Sequence, residues 1–256
     1  MSILLKPFQF IYWLYAAALF VIFMLLVFPF VILFSFFGRM KGGNMIYKIC
    51  RLWGDAWWFL IGIHHRNIYE AALDKSKQYI FVANHNSYMD IPTIFKAIRR
   101  RNVRVLGKSQ MKSFPVFGYI YSKAVVMVDR SNIVDRSKSV RQLKSVLNRN
   151  VSIFIYPEGT FNETGNPLKD FYDGAFRIAI ETQTSIIPIL FLDSYDRLDS
   201  KSIFDISPGR SRAVFLDEVE VVGLTLKDVQ LLKKKVYDLM EKRLIAYHPS
   251  WIKKIS

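Results

Sequence analysis

Two short polar clusters can do chemistry, and each directly follows an apolar run. The first, residues 84–90, reads Asn-His-Asn-Ser-Tyr-Met-Asp after the apolar residues 80–83. If a helix begins near Ser87, the Asp90 carboxylate reaches back to one imidazole N–H of His85. The other ring nitrogen then accepts a proton, so the pair predicts a general base for a hydroxyl substrate. Ser87 as a nucleophile is the alternative, although a helix cap explains it more simply.

The second cluster, residues 156–162, reads Tyr-Pro-Glu-Gly-Thr-Phe-Asn and ends another apolar run. Gly159 lets the backbone approach a ligand closely. Glu158 offers a carboxylate to a hydroxyl, and a backbone N–H near Gly159 or Thr160 would face a developing oxyanion. The alternative is a turn that only ends a strand.

The elements that must position these clusters alternate between strand and helix. This alternation predicts an α/β domain with a mixed, largely parallel sheet flanked by helices. Short apolar runs predict strands at residues 79–83, 103–106, 124–128, 151–156, 186–192 and 214–222. Helical periodicity predicts helices at residues 90–101, 135–148 and 226–247.

An N-terminal hydrophobic two-helix membrane element precedes this domain. Residues 8–37 contain no Lys, Arg, Asp or Glu, and the part before Pro29 is long enough to cross a hydrocarbon core of about 30 Å. A bent helix dipping into one leaflet is the alternative, because Pro29 can kink or break it. A cleaved signal peptide fits less well, since no small-x-small site follows.

A second helix is predicted over residues 45–63. Its tryptophans, Trp53, Trp57 and Trp58, suit a membrane interface, and the alternative is a helix that packs on the soluble domain. The predicted division is residues 1–66 for the membrane-embedding helices and residues 67–256 for the α/β domain.

Composition narrows the partners. The net charge is +15, which favours nucleic acid, an acidic membrane surface or a phosphorylated substrate. Residues 96–149 hold fourteen Lys or Arg against Asp129 and Asp135. The single Cys50 excludes an internal disulfide, and the four histidines show no metal-ligand spacing, so no metal site is expected.

Together, the clusters resemble the motifs of the lysophosphatidic acid acyltransferase family. Asn84, His85, Ser87 and Asp90 match its N-H-x-S-x-x-D motif, and residues 158–160 match its Glu-Gly-Thr motif. Intermediate blocks are also similar: Lys108 with residues 114–118, residues 126–130 ending in Arg130, and residues 187–189. The resemblance covers roughly residues 79–192.

The resemblance implies a role for each matching residue. His85 would deprotonate the acceptor hydroxyl, with Asp90 orienting it, and no acyl-enzyme would form. Lys108 and Arg130 would bind the acceptor phosphate. Residues 158–160 would complete substrate binding, with Glu158 holding the glycerol part and backbone donors near Gly159 meeting the oxyanion.

The implied activity is a membrane-bound O-acyltransferase that converts 1-acyl-sn-glycerol-3-phosphate to phosphatidic acid in phospholipid biosynthesis. The co-substrate would be an acyl-CoA or acyl-carrier-protein thioester, with no cofactor. Because Phe161 and Asn162 stand where the family commonly has a basic residue, Lys169 is a candidate replacement. Another acceptor, such as lyso-ornithine lipid, a lysophospholipid or glycerol 3-phosphate, is the alternative.

A non-catalytic basic protein that binds membrane or nucleic acid is the alternative from another class. Such a protein has no need of the His-Asp pair, and no nucleic-acid-binding module is recognised, so no nucleic acid partner is expected. The expected partners are a lysolipid acceptor, the thioester donor and membrane lipid. The expected location is a bacterial inner membrane with the catalytic domain on the cytoplasmic side.

Overall fold

The protein is built around one mixed sheet. The structure is a computed structural model that describes residues 6–74, 76–99, 101–128 and 133–253, without the side chains of residues 6 and 133–137. Over these residues the strands are β1 (Ile63–Tyr69), β2 (Ile80–Ala83), β3 (Val103–Lys108), β4 (Val125–Val128), β5 (Ser152–Ile155), β6 (Ile186–Phe191) and β7 (Gly209–Phe215). They lie in the order β1-β7-β6-β2-β5-β3-β4.

Five neighbouring strands run in the same direction. β2 pairs in parallel with β5 and β6, and β3 pairs in parallel with β4 and β5. β7 is antiparallel to β6, and β1 is parallel to β7. The predicted mixed, largely parallel sheet is confirmed, and the carboxyl ends of the five parallel strands meet at one edge.

Helices cover both faces of the sheet. They are α1 (Lys6–Ser35), α2 (Gly43–Leu60), α3 (Asp90–Ala97), α4 (Phe117–Ala124), α5 (Ile133–Leu147), α6 (Gly174–Thr182), α7 (Ser194–Arg197) and α8 (Val229–Tyr247). One core packs α5, α6 and α8 onto strand residues such as Ile153. The neighbouring Phe154 belongs to the opposite core, which includes Ile94 of α3 and Tyr47 of α2, because successive strand side chains point to opposite faces.

The first two helices form an antiparallel hairpin. Phe20 of α1 packs on Trp53 and Trp57, with ring centroids 4.7 and 5.1 Å apart. Trp57 Nε1 donates to the carbonyl of Ala16 at 2.8 Å. The three tryptophans of α2 are at most 8% exposed: Trp53 and Trp57 pack on α1, and Trp58 packs on His65 of β1. The interfacial interpretation of these indoles is therefore wrong.

The first helix, in contrast, is largely uncovered. Pro7–Ser35 is the one helix among the described residues with the length and apolar composition to cross a membrane. Pro29 lies inside α1 and does not end it. The outward side chains include Phe8, Ile22 and Leu26, which are 72%, 51% and 59% exposed.

Three sequence predictions need correction. β1 was not predicted, because its sequence IHHRNIY has four consecutive polar residues at its centre and lacks the alternation typical of a strand. The last strand ends at Phe215, not at residue 222: Val219 and Val221 are buried in the loop that follows it. α3 ends at Ala97, so Arg99 and Arg101 lie outside the helix.

The predicted division between residues 66 and 67 falls within β1. All seven residues of β1 pair with β7, so the first strand of the sheet begins directly after the helical hairpin.

Candidate active site

The carboxyl edge of the parallel strands brings the predicted site residues together. His85 follows β2, and Glu158 follows the adjacent β5. Lys108 ends β3, which pairs with the other side of β5. Arg130 would follow β4 but lies outside the described residues. The strand order β2-β5-β3 thus aligns His85, Glu158 and Lys108 along one edge.

The predicted His-Asp pair forms. His85 Nδ1 lies 2.9 Å from Asp90 Oδ2, and Asp90 is fully buried. The other ring nitrogen, Nε2, has no hydrogen-bond partner among the described residues, and the His85 side chain is 13% exposed. The ring therefore presents Nε2 at the opening of the site, as a general base requires.

The helix start holds the Asp90 carboxylate in place. Asp90 is the first residue of α3, and its Oδ2 also accepts backbone hydrogen bonds from Asn86 at 2.8 Å and Ser87 at 2.9 Å. Three donors on one oxygen fix the orientation of this carboxylate. The group lies in the first turn of the helix, where the dipole favours a negatively charged side chain.

Ser87 has a structural role. Its buried hydroxyl accepts from the backbone N–H of Met89 at 2.9 Å and contacts the carbonyls of Ser194 and Leu198 at 2.9 and 2.6 Å. The cap of α3 is Met89, so Ser87 lies two residues before the cap and supports the turn instead of capping the helix as predicted. These bonds leave no basis for the nucleophile alternative.

Two aromatic rings that the sequence analysis missed hold the imidazole. Tyr156 stacks on His85 with centroids 4.0 Å apart and planes 14° apart, and its hydroxyl donates to the Asp90 carbonyl at 3.0 Å. Phe161 packs on the imidazole at 4.4 Å. Both residues belong to the second polar cluster, residues 156–162. Their place in that cluster was the only sequence signal for a contact with His85.

Glu158 connects the two loops of the site. Its Oε1 accepts from the backbone N–H of His85 at 2.8 Å, and its Oε2 accepts from the backbone N–H of Lys169 at 2.9 Å. Glu158 is 1% exposed, and burial raises its pKa to about 8 although both backbone donors lower it. The predicted contact with glycerol is corrected: this carboxylate is directed into the protein and positions His85.

The Glu-Gly-Thr turn restricts the choice of oxyanion donor. Gly159 has φ of +77°, a conformation that favours glycine. The sequence predicted an oxyanion donor near Gly159 or Thr160, and the Gly159 N–H already donates to the Tyr156 carbonyl at 3.1 Å. The Thr160 N–H has no hydrogen-bond partner among the described residues and is the remaining candidate.

A lysine stands beside this turn. Lys169 Nζ donates to Thr160 Oγ1 at 2.7 Å. Phe161 packs on His85, and Asn162 is buried, with its Nδ2 donating to the Asn166 carbonyl at 2.9 Å. The cation that the motif itself lacks is thus supplied nine residues downstream. Lys108, exposed at the end of β3, is a second cation at this edge.

An apolar cavity of about 560 Å³ reaches the same turn. It passes between α5 and α6, and its lining residues include Gly159, Tyr156, Leu106, Val140, Leu143, Phe171 and Ala175. A chain of methylene groups fits such a lining, because each buried CH₂ gains about 0.8 kcal/mol.

Metal-ligand clusters are absent from the part of the chain that the structure describes: no three His, Cys, Asp or Glu side chains come together there. The expectation of a metal-free reaction stays a prediction.

Comparison with known proteins places this site in a family. The acyltransferase family model matches residues 63–192, a segment that contains every predicted site residue. The 1-acyl-sn-glycerol-3-phosphate acyltransferase of Haemophilus influenzae is 32% identical over 64% of this chain and 68% of its own length. The 1-acyl-sn-glycerol-3-phosphate acyltransferase alpha of Mus musculus is 27% identical over 68% of this chain, and the match spans only 59% of the mouse protein.

A solved structure shares the whole architecture. The crystal structure of the 1-acyl-sn-glycerophosphate acyltransferase PlsC from Thermotoga maritima aligns over 99% of this chain and 100% of its own, with a TM-score of 0.74 and 20% identity. This similarity shows the fold, including the first helix. The family match over half the chain carries the assignment: this chain belongs to the acyltransferase family.

Proposed function

We propose that this acyltransferase moves an acyl group from a thioester to the free hydroxyl of 1-acyl-sn-glycerol-3-phosphate, giving phosphatidic acid. The observation that carries the proposal is the His85–Asp90 pair, held at 2.9 Å beside the Glu-Gly-Thr turn. The names of the bacterial and mouse relatives support this acceptor.

In the proposed reaction, His85 Nε2 takes the hydroxyl proton as that oxygen attacks the thioester carbonyl. The C–O bond forms, and a tetrahedral oxyanion results. Collapse of this intermediate breaks the C–S bond, and the imidazolium returns its proton to the leaving thiolate. The buried Asp90 carboxylate stabilises the imidazolium between these steps and holds the ring in one orientation. No acyl-enzyme is needed.

The Thr160 N–H is the backbone donor that we assign to the oxyanion. It follows Gly159, whose positive φ turns the chain at this point. A preorganised donor of this kind contributes more inside a water-poor site than in bulk water.

Three cations are proposed to bind the acceptor phosphate. Lys169, beside Thr160, and Lys108, at the end of β3, lie at the carboxyl edge. Arg130 joins them by its place after β4 and by its match to the family motif. Lysine binds phosphate as a point charge, whereas arginine can donate two parallel hydrogen bonds.

The cavity between α5 and α6 is proposed to hold the acyl chain of the donor. Its apolar lining begins at Gly159 and Tyr156, next to the imidazole that stacks on Tyr156. The donor thioester would thus lie at the mouth of the cavity with its carbon chain inside. The carrier is coenzyme A or acyl carrier protein, and no cofactor takes part.

The uncovered face of α1 is proposed to lie in a membrane, where the lysolipid acceptor and diacyl product reside. Thioester donors are cytosolic, so we place the catalytic domain on the cytoplasmic side of a bacterial inner membrane.

The deciding experiment is acyl transfer by the purified protein in mixed micelles. Labelled acyl-CoA and acyl-carrier-protein donors are offered with lysophosphatidic acid, lyso-ornithine lipid, other lysophospholipids and glycerol 3-phosphate. We expect product from lysophosphatidic acid, and we expect His85→Ala to lower the rate by about a hundredfold or more. The matched control is His64→Ala, since His64 is exposed on β1.

Two outcomes would contradict this proposal. Product from a different acceptor alone would retain the mechanism and overturn the substrate. Transfer that is unchanged in His85→Ala would overturn the general-base mechanism.

A further inference from the structure

A second pocket, lined by polar as well as apolar residues, lies at the opposite edge of the sheet from His85. It has a volume of about 530 Å³ and lies near the amino ends of β3 and β4, between the turn after α1 and the last turns of α5. Its cationic lining residues are Arg39, Arg104, Lys123 and Arg149. We call it the cationic pocket.

Arg104 is the buried member of the cationic pocket. It is 4% exposed, and its guanidinium donates to the Asn44 side chain at 2.7 Å and to the Met40 and Val103 carbonyls at 3.2 and 3.1 Å. These acceptors are neutral. Burial is the main cause that lowers the Arg104 pKa to about 10; Tyr47 opposes this shift and the positive charge of Arg39 adds to it. A buried charge normally has an opposite charge beside it.

The other three cations also have no carboxylate partner in the part of the chain that the structure describes. No ion pair among the described residues includes Arg39, Lys123 or Arg149, and the pocket lining contains no Asp or Glu. Arg39 instead donates to the Gln142 side chain at 2.9 Å, and the Lys123 ammonium lies over the Tyr119 ring, 5.0 Å from its centroid. Four positive charges thus converge on a cavity whose described lining provides no negative charge.

The residues beside the cationic pocket indicate which source would supply an anion to it. Ser35, the last residue of α1, lines the pocket. The next two residues, Phe36 and Phe37, are 81% and 56% exposed. Lys and Arg side chains near the end of an apolar helix typically extend to the headgroup level of a bilayer, while adjacent apolar side chains stay in the lipid.

We propose that the cationic pocket binds the phosphate group of an anionic glycerophospholipid. Lys123 and Arg149, exposed at the opening, would contact the phosphate oxygens first, and Arg104 would supply the buried positive charge below them. This site is separate from the acceptor site at the carboxyl edge, and the proposal does not depend on acyl transfer.

The test is lipid binding by the full chain in detergent, measured as the rise in its thermal unfolding midpoint. The probes are dihexanoyl phosphatidylglycerol, dihexanoyl phosphatidylcholine and inorganic phosphate. We expect a saturable rise with phosphatidylglycerol and little change with the other two. Loss of two charge-assisted hydrogen bonds in Lys123→Gln/Arg149→Gln should raise the half-saturating concentration about tenfold or more.

The matched control is Lys138→Gln/Arg141→Gln, which removes the same charge from exposed positions of α5 outside the pocket. It should retain the response, as should His85→Ala and Lys169→Met, because both lie in the active site. The proposal would be overturned if the two double variants lost the response to phosphatidylglycerol equally. It would also be overturned if Lys123→Gln/Arg149→Gln kept the full response, or if Lys169→Met lost it. An equal rise with inorganic phosphate would overturn the assignment to lipid.

Discussion

Glu158 Oε1 accepts a 2.8 Å hydrogen bond from the backbone N–H of His85. The bond joins the loop after β2, which carries the proposed general base, to the loop after β5, which carries the proposed oxyanion donor. The second oxygen of Glu158 holds the backbone of Lys169. One buried side chain thus sets the spacing between the base, the proposed oxyanion donor and a proposed phosphate ligand.

Glu158→Gln is expected to lower the rate of acyl transfer, although we expect no contact between this side chain and substrate. The amide keeps one oxygen acceptor but directs an NH₂ group at the other backbone N–H, so a buried donor is left unpaired at a cost of about 1–3 kcal/mol. We expect kcat to fall about tenfold or more, with the KM of both substrates much less affected. A rise in acceptor KM alone would instead support direct contact between Glu158 and the glycerol.

The same substitution tests the ionisation of Glu158. Its folded pKa of about 8 lies above the reference value of 4.5, so folding takes up a proton at intermediate pH. The contribution of protonated Glu158 to folding stability is therefore fully present below pH 4.5 and is lost as the pH rises through about 8. We expect the thermal midpoint of Glu158→Gln to lie furthest below that of the unaltered protein at pH 5. The difference between the two midpoints should shrink as the pH rises to 9. A midpoint difference that does not vary with pH would contradict this account.

Asp90→Asn should lower kcat by about a hundredfold or more, with little change in KM. The asparagine oxygen can still accept from the imidazole and the backbone, but the negative charge that stabilises the imidazolium is lost. The measurement is steady-state transfer beside Asp217→Asn, an exposed control with the same change of charge. Wild-type rates in Asp90→Asn would exclude an electrostatic role for Asp90.

Lys169→Met should weaken binding of a phosphate-bearing acceptor. It removes the ammonium that lies 2.7 Å from Thr160 Oγ1 and keeps an unbranched apolar side chain. We expect acceptor KM to rise about tenfold, with kcat and donor KM much less affected. Lys235→Met, exposed on α8, is the control. A fall in kcat at unchanged acceptor KM would instead indicate that Lys169 positions the Glu-Gly-Thr turn and does not bind phosphate.

Val140→Phe should shift donor preference toward shorter acyl chains. Val140 lines the cavity between α5 and α6, so a larger ring occupies space proposed for the donor chain. Each methylene that no longer fits should lower relative kcat/KM about fourfold. The measurement is competition between donors of different chain length. Val222→Phe, at a 78% exposed loop position, should leave the preference unchanged, and an unshifted profile in Val140→Phe would exclude this cavity.

Local spacing explains why the general base was predictable. His85 and Asp90 lie five residues apart across a strand-to-helix turn, and the geometry of that turn alone brings them together. β1 was missed because its apolar signal is weak at the sheet edge and its stability comes from pairing with β7, far along the chain.

The sequence by itself determined the reaction class, the strand and helix order around the site and the apolar first helix, because these depend on short motifs and local periodicity. Tertiary structure decided what each polar group faces. Glu158 turned inward, the Gly159 N–H was used within its own turn, Tyr156 stacked on His85, and Lys169 came to Thr160. The physical reason is that burial and hydrogen-bond partners are set by segments distant in sequence, and composition does not encode which groups they meet.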